Sequence, residues 1–308
     1  MVMLNLRRLL LLCDLVDLGT VSAVAERRNI TASAVSQQLR VLEVETGAAL
    51  LQQDGRTLGL TRVGEVLVRH VRLVLSAMDE AESAVAAARD GMAGHVSIAS
   101  FNMGIPMLVA PAVQRLGREA PDLELEIRQA PTEPALRLLR RGEVDMAITT
   151  VYPFGPQVSL GGVVREKLLA EPLVLLTPPQ LHLRVRKYGL AALADEPWVT
   201  GAPASGLGLA LQGAADAAGF APKVKHRVES AQNICQLATT EVASAVVPRM
   251  AVPEQFESLI VQGIDFGVRE ISAVVREGRR RDPNIRRVMR ELHSIVADSW
   301  PEQFGVAV

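Results

Sequence analysis

The sequence is most informative between residues 19 and 64, where it reads GTVSAVAE at 19–26, TASAVSQQLRVLE at 31–43 and LGLTRVG at 58–64. Helix-like patterns cover residues 6–17, 20–28 and 32–46. Thr20 and Thr31 stand where helix N-caps are expected. The pair Asp54-Gly55 separates two short apolar-bearing runs, which predicts a tight β-hairpin. Three helices followed by a hairpin indicate a winged helix-turn-helix.

The two faces of the third predicted helix differ in chemistry. Val35, Leu39 and Leu42 recur at helical spacing and form the predicted buried stripe. The opposite face carries small or hydrogen-bonding residues, namely Ala32, Ser33, Ser36, Gln37 and Arg40. Small residues allow close approach to the DNA major groove, where glutamine pairs with adenine and arginine with guanine. We therefore predict DNA contact. The alternative is an ordinary solvated face, although such faces usually carry glutamate and lysine.

Charge supports DNA contact only locally. The chain has 33 lysines plus arginines against 34 acidic residues, a formal net charge of -1, so it has no overall attraction for nucleic acid. Residues 1–75 hold nine arginines, no lysine and seven acids. We expect Arg56 at the hairpin turn and Arg62 at its exit to contact phosphates, with Arg40 shared between bases and backbone. A second basic cluster at 276–290 is expected to be a solvated helix face or an intersubunit contact.

A long helix is predicted over residues 63–90, which contain no proline. Its apolar residues recur every three or four positions, the pattern of a heptad seam, at Val63, Leu67, Val71, Val74, Met78, Ala81 and Val85. Such a helix would run about 42 Å, too far for a ninety-residue domain to cover. We predict that the seam forms a dimer interface. Packing on its own chain is the alternative.

Beyond residue 91, short apolar runs alternate with helical stretches, the βα rhythm of a mostly parallel sheet. Strands are predicted at 95–100, 123–129, 144–149, 171–177, 197–200, 223–229, 242–247, 259–265 and 268–276. Helices are predicted at 104–119, 132–141, 189–194, 206–218, 231–240 and 283–298. We expect an α+β multidomain chain with a DNA-binding domain at 1–62, a linker helix at 63–90 and a two-lobed α/β domain at 91–308. Lobe I takes about 91–165 and 266–308, and lobe II about 166–265.

Polar residues at the predicted strand-to-helix junctions are candidates for a ligand site. Helix N-termini that face the gap between lobes offer unpaired N–H groups and a partial positive charge, which suit an anion. The candidates are Ser100, Phe101, Asn102, Thr132, Thr149, Thr150, Thr200, Gly201, Ala202 and Ser205. Each is equally suited to be a capping or turn residue.

Patterns that would indicate an enzyme are missing from the sequence. Gly206-Leu207-Gly208 has Leu211 where a dinucleotide motif needs a third small residue. The histidines at 70, 95, 182, 226 and 293 lack metal-site spacing. Cys235 invites a thiol-switch hypothesis, but a lone cysteine among apolar residues is usually a small buried hydrophobe. We predict a cytoplasmic protein with no enzymatic activity, cofactor, metal site or membrane segment.

The three stretches quoted first resemble the N-terminal domain of LysR-type transcriptional regulators in order, spacing and hairpin. The resemblance implies a winged helix-turn-helix, a dimerising linker helix and a two-lobed effector domain of the type II periplasmic-binding-protein kind. It also implies operator binding as a homodimer or dimer of dimers, modulated by a small-molecule effector between the lobes, with RNA polymerase as a further candidate partner. Ser33 departs from the proline common at its position, and Gln53 and Gly59 stand where the wing is usually basic.

A second function fits part of the sequence. Residues 91–308 would then form a cytoplasmic small-molecule-binding protein or enzyme, and the N-terminal domain would serve only for dimerisation. The near-neutral charge of the N-terminal domain favours this alternative. The absence of paired catalytic groups in the predicted cleft opposes it.

Overall fold

The structure is a computed structural model and describes residues 4–54, 57–90, 94–155, 161–239 and 243–300. The α-helices in these ranges are α1 (Leu6–Leu18), α2 (Val21–Arg28), α3 (Ala32–Thr46), α4 (Arg62–Asp90), α5 (Ala110–Glu119), α6 (Thr132–Arg140), α7 (His182–Tyr188), α8 (Gly206–Ala217), α9 (Ala231–Thr239) and α10 (Pro283–Ser299). The strands are β1 (Leu51–Asp54), β2 (Thr57–Leu60), β3 (Gly94–Ser100), β4 (Leu123–Gln129), β5 (Met146–Val151), β6 (Val163–Leu176), β7 (Pro197–Thr200), β8 (Lys223–Arg227), β9 (Ala245–Pro248) and β10 (Val268–Arg276).

Helices α1 to α3 form a compact N-terminal unit. The hydroxyl of Thr20 accepts the Ala23 N–H at 3.2 Å, and that of Thr31 accepts the Ala34 N–H at 3.1 Å, so both predicted N-caps are confirmed. Each of the three helices ends at a left-handed residue, Gly19, Asn29 and Gly47. Their apolar faces meet in one buried cluster that includes Leu12, Val24, Val35, Leu39 and Leu42.

The predicted hairpin is confirmed, since β1 pairs antiparallel with β2 and places Leu51 opposite Leu60. Helix α4 follows at once and begins at Arg62, one residue before the predicted start. Its first turns pack on the N-terminal unit through Val68 and Val71. The hairpin and α4 therefore share the core of the three helices.

One mixed sheet spans the C-terminal domain in the strand order β4-β3-β5-β10-β6-β9. The pairs β3–β4 and β3–β5 are parallel, as the βα rhythm predicted. The pairs β5–β10, β10–β6 and β6–β9 are antiparallel, so the expectation of a mostly parallel sheet was wrong. The return of the chain late in the sequence inserts β10 between β5 and β6 in the opposite direction, which accounts for two of these three antiparallel pairs.

Strand β6 links the two lobes. Its residues 163–172 pair with β10, and its residues 173–176 pair with β9. The strand predicted at 171–177 is thus only its second half. The first half was missed because Arg165, Glu166 and Lys167 look like a loop, whereas pairing with β10 keeps their backbone extended. The expected lobe boundary near 165 falls inside this strand.

Two other predicted elements differ in the structure. The strand predicted at 259–265 is not formed: Glu254–Leu259 form a 3₁₀-helix, Ile260 makes a single bridge to Leu176, and Gly263 turns the chain at φ +86°. The helix predicted at 189–194 is a 3₁₀-helix at Leu190–Leu193, separated from α7 by Gly189. In both places the apolar residues pack inside the protein, as their composition indicates. A glycine with positive φ turns the chain there and interrupts the regular backbone structure.

The N-terminal unit also touches lobe I of the same chain. Arg27 of α2 forms an ion pair with Glu143, which follows α6. Asp17 of α1 pairs with Arg72 of α4 at 2.9 Å, near Arg140 of lobe I. Burial raises the pKa of Asp17, while these arginines act to lower it. The contact between the N-terminal unit and lobe I therefore contains both acidic and basic side chains.

Candidate functional site

The outward face of α3 is open and carries the predicted residues. Val35, Leu39 and Leu42 are buried, as predicted. Ala32, Ser33, Gln37 and Arg40 are exposed and Ser36 is half-buried. These five side chains lie on the same side of one helix.

The nearby acids Glu43 and Glu45 are engaged by other partners and do not pair with Arg40. The Glu43 carboxylate accepts the N–H groups of Leu50 at 2.8 Å and Leu51 at 3.1 Å. Glu45 pairs with Arg8. Arg40 makes no ion pair with any residue that the structure describes and is left for an external anion.

The hairpin is held firmly against α3 and α4. Thr61 donates its hydroxyl to the Ala49 carbonyl at 2.7 Å and accepts the Gly64 N–H at 3.0 Å. A Cβ on Gly64 would lie 2.2 Å from the Leu50 carbonyl oxygen, so this close approach requires glycine. Arg62 is exposed at the exit of the hairpin. Arg56 lies outside the described residues.

A cavity of about 370 Å³ separates the two lobes. Three helices begin at its walls: α6 from lobe I, and α8 and α9 from lobe II. Ser205 caps α8 by accepting the Gly208 N–H at 3.1 Å. Each of these helix N-termini carries a partial positive charge. Two exposed carboxylates, Glu133 and Glu229, also line the cavity.

The floor of the cavity is a buried charged network. Arg269 of β10 pairs with Glu171 of β6, and both are almost completely buried. Arg269 Nη1 also donates to Tyr152 Oη at 3.0 Å, and the guanidinium lies 5.4 Å from the centre of the Phe101 ring. Glu171 accepts the Met250 N–H at 3.0 Å. Burial acts to lower the pKa of Arg269, but Tyr152 and Glu171 raise it above its usual value, so Arg269 is a fixed cation.

The structure divides the predicted ligand residues into two groups. Those that line the cavity are Phe101, Asn102, Thr132, Thr150 and Ser205. Those that do not are Ser100, Thr149, Thr200, Gly201 and Ala202.

Four residues of the second group instead take part in hydrogen bonds to backbone carbonyls. Thr149 donates to the Ser272 carbonyl at 3.3 Å across β5 and β10, and Ser100 donates to the adjacent Phe101 carbonyl at 3.3 Å. The Gly201 carbonyl accepts from Arg227, and the Ala202 carbonyl accepts from Ser205. Thr200 is buried at the end of β7.

The predicted seam of α4 is only partly exposed. Val63, Val74, Met78, Ala81 and Val85 are exposed. Val71 is 2% exposed and Leu67 packs beside it, so these two belong to the core of the N-terminal unit rather than to a free seam. The exposed apolar face instead takes in Val66 and Leu73. The seam prediction missed this because the start of α4 packs on α1.

The residues that the structure describes offer few features suited to metal binding, thiol chemistry or membrane insertion. No group of histidine, cysteine and acidic side chains there could hold a metal ion. Burial raises the pKa of the Cys13 and Cys235 thiols to about 12. Cys235 donates to the Ala251 carbonyl at 3.4 Å. Within the same residues, no helix is both long and apolar enough to span a bilayer.

Two family models match the N-terminal and the C-terminal parts of the chain. Residues 6–65 match the family model "Bacterial regulatory helix-turn-helix protein, lysR family", and residues 89–296 match "LysR substrate binding domain". The chain belongs to the LysR family.

Two curated regulators illustrate its relatives. The nitrogen assimilation regulatory protein nac of Klebsiella aerogenes is 30% identical over 174 residues, which cover 56% of this chain and 55% of that protein. The HTH-type transcriptional regulator CbbR of Rhodospirillum rubrum is 26% identical over 268 residues, 85% of this chain and 87% of that protein.

Two solved structures share the fold of this LysR-family chain. ArgP from Mycobacterium tuberculosis has a TM-score of 0.58 at 22% identity, and the match covers 94% of this chain and 96% of that one. A full-length OxyR variant from Pseudomonas aeruginosa has a TM-score of 0.55 at 19% identity, and the match covers 96% of this chain and 95% of that one. They agree with the predicted winged helix-turn-helix and two-lobed α/β domain.

Sequence reasoning missed the floor of the LysR-family cavity. Arg269 sits in a strand of alternating character and reads as a surface residue. Tyr152 follows β5 with no motif around it. No local pattern in the sequence reports the pairing of β6 with β10, which sets Glu171 opposite Arg269.

Proposed function

We propose that this LysR-family regulator binds operator DNA through the outward face of α3, with Ala32, Ser33, Ser36, Gln37 and Arg40 toward the major groove. The observation that carries the proposal is that the acids nearest this face, Glu43 and Glu45, are both engaged elsewhere. Arg62 would hold a phosphate beside the helix, and Arg56 is assigned the same role from the sequence.

A pair of recognition helices needs a dimer. The exposed apolar face of α4, with Val63, Val66, Val74, Met78 and Val85, supports a homodimer through this helix. Two dimers would then join on longer operators, with RNA polymerase as a further partner at the promoter. We propose domains at 1–62, 63–90 and 91–308, with lobe II beginning after residue 172, where β6 changes its partner strand from β10 to β9.

The cleft between the lobes is the proposed effector site. Helix N-termini favour an organic anion, and Phe101, Tyr152 and Leu207 offer apolar surface for its body. Effector binding would change how the lobes, and hence the paired α3 helices, are held. The site of action would be the cytoplasm, where bacterial operators lie.

Fluorescence anisotropy with the DNA upstream of the gene, compared with scrambled DNA at two salt concentrations, tests DNA binding. Tight binding should discriminate against the scramble and survive moderate salt. Ser36→Ala, Gln37→Ala and Arg40→Ala should each weaken it, by about 1–3 kcal/mol for a lost base contact. Arg186→Gln in lobe II is the matched control. Folded α3 variants that bind like wild type would refute the assignment.

Ligand binding and DNA binding by a truncated chain distinguish the proposed function from the alternative one. A binding protein or enzyme built on residues 91–308 would keep full ligand affinity or turnover after deletion of residues 1–60 and would show no sequence-specific DNA binding. A thermal-shift screen of organic anions tests the cleft: Asn102→Ala should reduce the shift, and Asn233→Ala on the exposed side of α9 should not.

A further inference from the structure

A second depression, of about 220 Å³, lies on the outer side of lobe I, away from the cleft. Its floor is aliphatic, with Val275, Ile285 and Met289 buried. Three arginines surround that floor: Arg280 after the 3₁₀-turn that ends β10, and Arg286 and Arg290 on α10. Arg286 and Arg290 are four residues apart, so they project from the same side of the helix.

None of the three guanidinium groups has a hydrogen-bond or ion-pair partner among the residues that the structure describes. Neighbouring arginines of the same segment do: Arg276 and Arg279 pair with Asp145, and Arg279 also pairs with Asp282. Asp145 and Asp282 are therefore already paired with Arg276 and Arg279. The outer three are left with their donors toward the depression or solvent.

The depression contains one acidic residue, Glu166 of β6. Its carboxylate is turned to His293, whose Nε2 lies 2.7 Å from Glu166 Oε1. Three guanidinium groups against one carboxylate leave a net positive charge around an enclosed apolar floor.

We propose that this depression binds a phosphate-bearing small molecule, with the aliphatic floor under its carbon skeleton. Guanidinium groups match the oxygens of phosphate in a two-pronged geometry, and three of them suit a dianion better than a single carboxylate. The concave shape and apolar floor favour a small ligand over the backbone of a duplex. The site is separate from the effector cleft, so this proposal does not depend on the effector function assigned to the cleft.

Isothermal titration calorimetry of the full chain with inorganic pyrophosphate, at fixed ionic strength, tests the proposal. Wild type should bind, and the R286Q/R290Q double variant should bind at least about tenfold more weakly, because charge-assisted hydrogen bonds are lost. R186Q/K187Q on the exposed side of α7 removes the same charge from lobe II and should leave the affinity unchanged.

Two further arms make the result decisive. E166Q removes the one negative charge that lines the depression and should tighten pyrophosphate binding several-fold, a gain that partial unfolding would not produce. A random-sequence DNA duplex covers the other source of phosphate, and R286Q/R290Q should leave its affinity unchanged. No binding by wild type, equal losses in both double variants, or a loss confined to the duplex would overturn the proposal.

Discussion

Arg269 and Glu171 face each other across β10 and β6, as paired residues of the two strands that join the lobes. The pair is buried at the floor of the cleft and is tied to lobe II by the Met250 N–H. A charge pair with this burial is costly to break, because either partner alone would remain as an uncompensated buried charge.

Arg269→Gln or Glu171→Gln should each destabilise the protein by about 3–5 kcal/mol. The double variant Arg269→Met/Glu171→Leu should lose less than the sum of the two single changes, because no lone charge is left. Urea unfolding of the full chain followed by circular dichroism measures this. Additive losses would mean that the two residues do not act as a pair.

Gly64→Ala should destabilise the N-terminal unit and weaken DNA binding, because the new Cβ would meet the Leu50 carbonyl oxygen at 2.2 Å. We expect a loss of about 1–3 kcal/mol, the usual cost of overpacking. The matched control is Gly117→Ala in α5, where nothing lies within 4 Å of the added atom. There a stabilisation of about 0.5–1 kcal/mol is expected. Thermal unfolding measures the stability of both variants. A Gly64→Ala protein as stable as wild type would contradict the close approach.

Val71 and Val74 should behave differently although both lie on the predicted seam. Val71→Ala should cost about 2 kcal/mol of stability and leave the dimer intact, since Val71 packs inside its own chain. Val74→Asp should dissociate the dimer while the monomer remains folded, because Val74 is exposed. Analytical ultracentrifugation with circular dichroism separates the two effects. A dimeric Val74→Asp protein would place the interface elsewhere.

Both cysteines should be unreactive in the native protein. Burial raises the pKa of the Cys13 and Cys235 thiols to about 12, so very little thiolate exists at pH 8 and reagent access is blocked. Reaction with Ellman's reagent should show no fast thiol in buffer and two thiols in denaturant. The wild-type protein should keep its DNA affinity under mild peroxide, as the folded Cys235→Ala variant should. Rapid labelling of the native chain would instead support a thiol switch.

The sequence predicted what depends on local periodicity and missed what depends on distant pairing. The buried stripe Val35, Leu39, Leu42 follows from the helical repeat alone, and the structure places it as predicted. The exposed or buried state of Val71 depends on how α4 docks on α1, which no repeat within α4 reports. Arg269 was missed for the same reason, since its partner is 98 residues away.

The ligand residues show this limit at single-residue scale. Thr149 and Thr150 are adjacent near the end of β5, yet only Thr150 lines the cavity, because Thr149 is buried and donates its hydroxyl to the Ser272 carbonyl of β10. Choosing between them needs the register of β5 against β10, in which Thr149 pairs with Ser272.

Strands β6 and β10 place lobe II as an insertion within lobe I, entered along one strand and left along the other. Exchange of lobe II between relatives would therefore need two crossovers, and both would have to preserve the pairing of Pro172 with Val268. A crossover shifted by one residue would turn the Arg269 side chain to the opposite face of the sheet. Recombination during evolution is thus expected to move the two lobes together, while substitutions around the cleft account for differences in ligand.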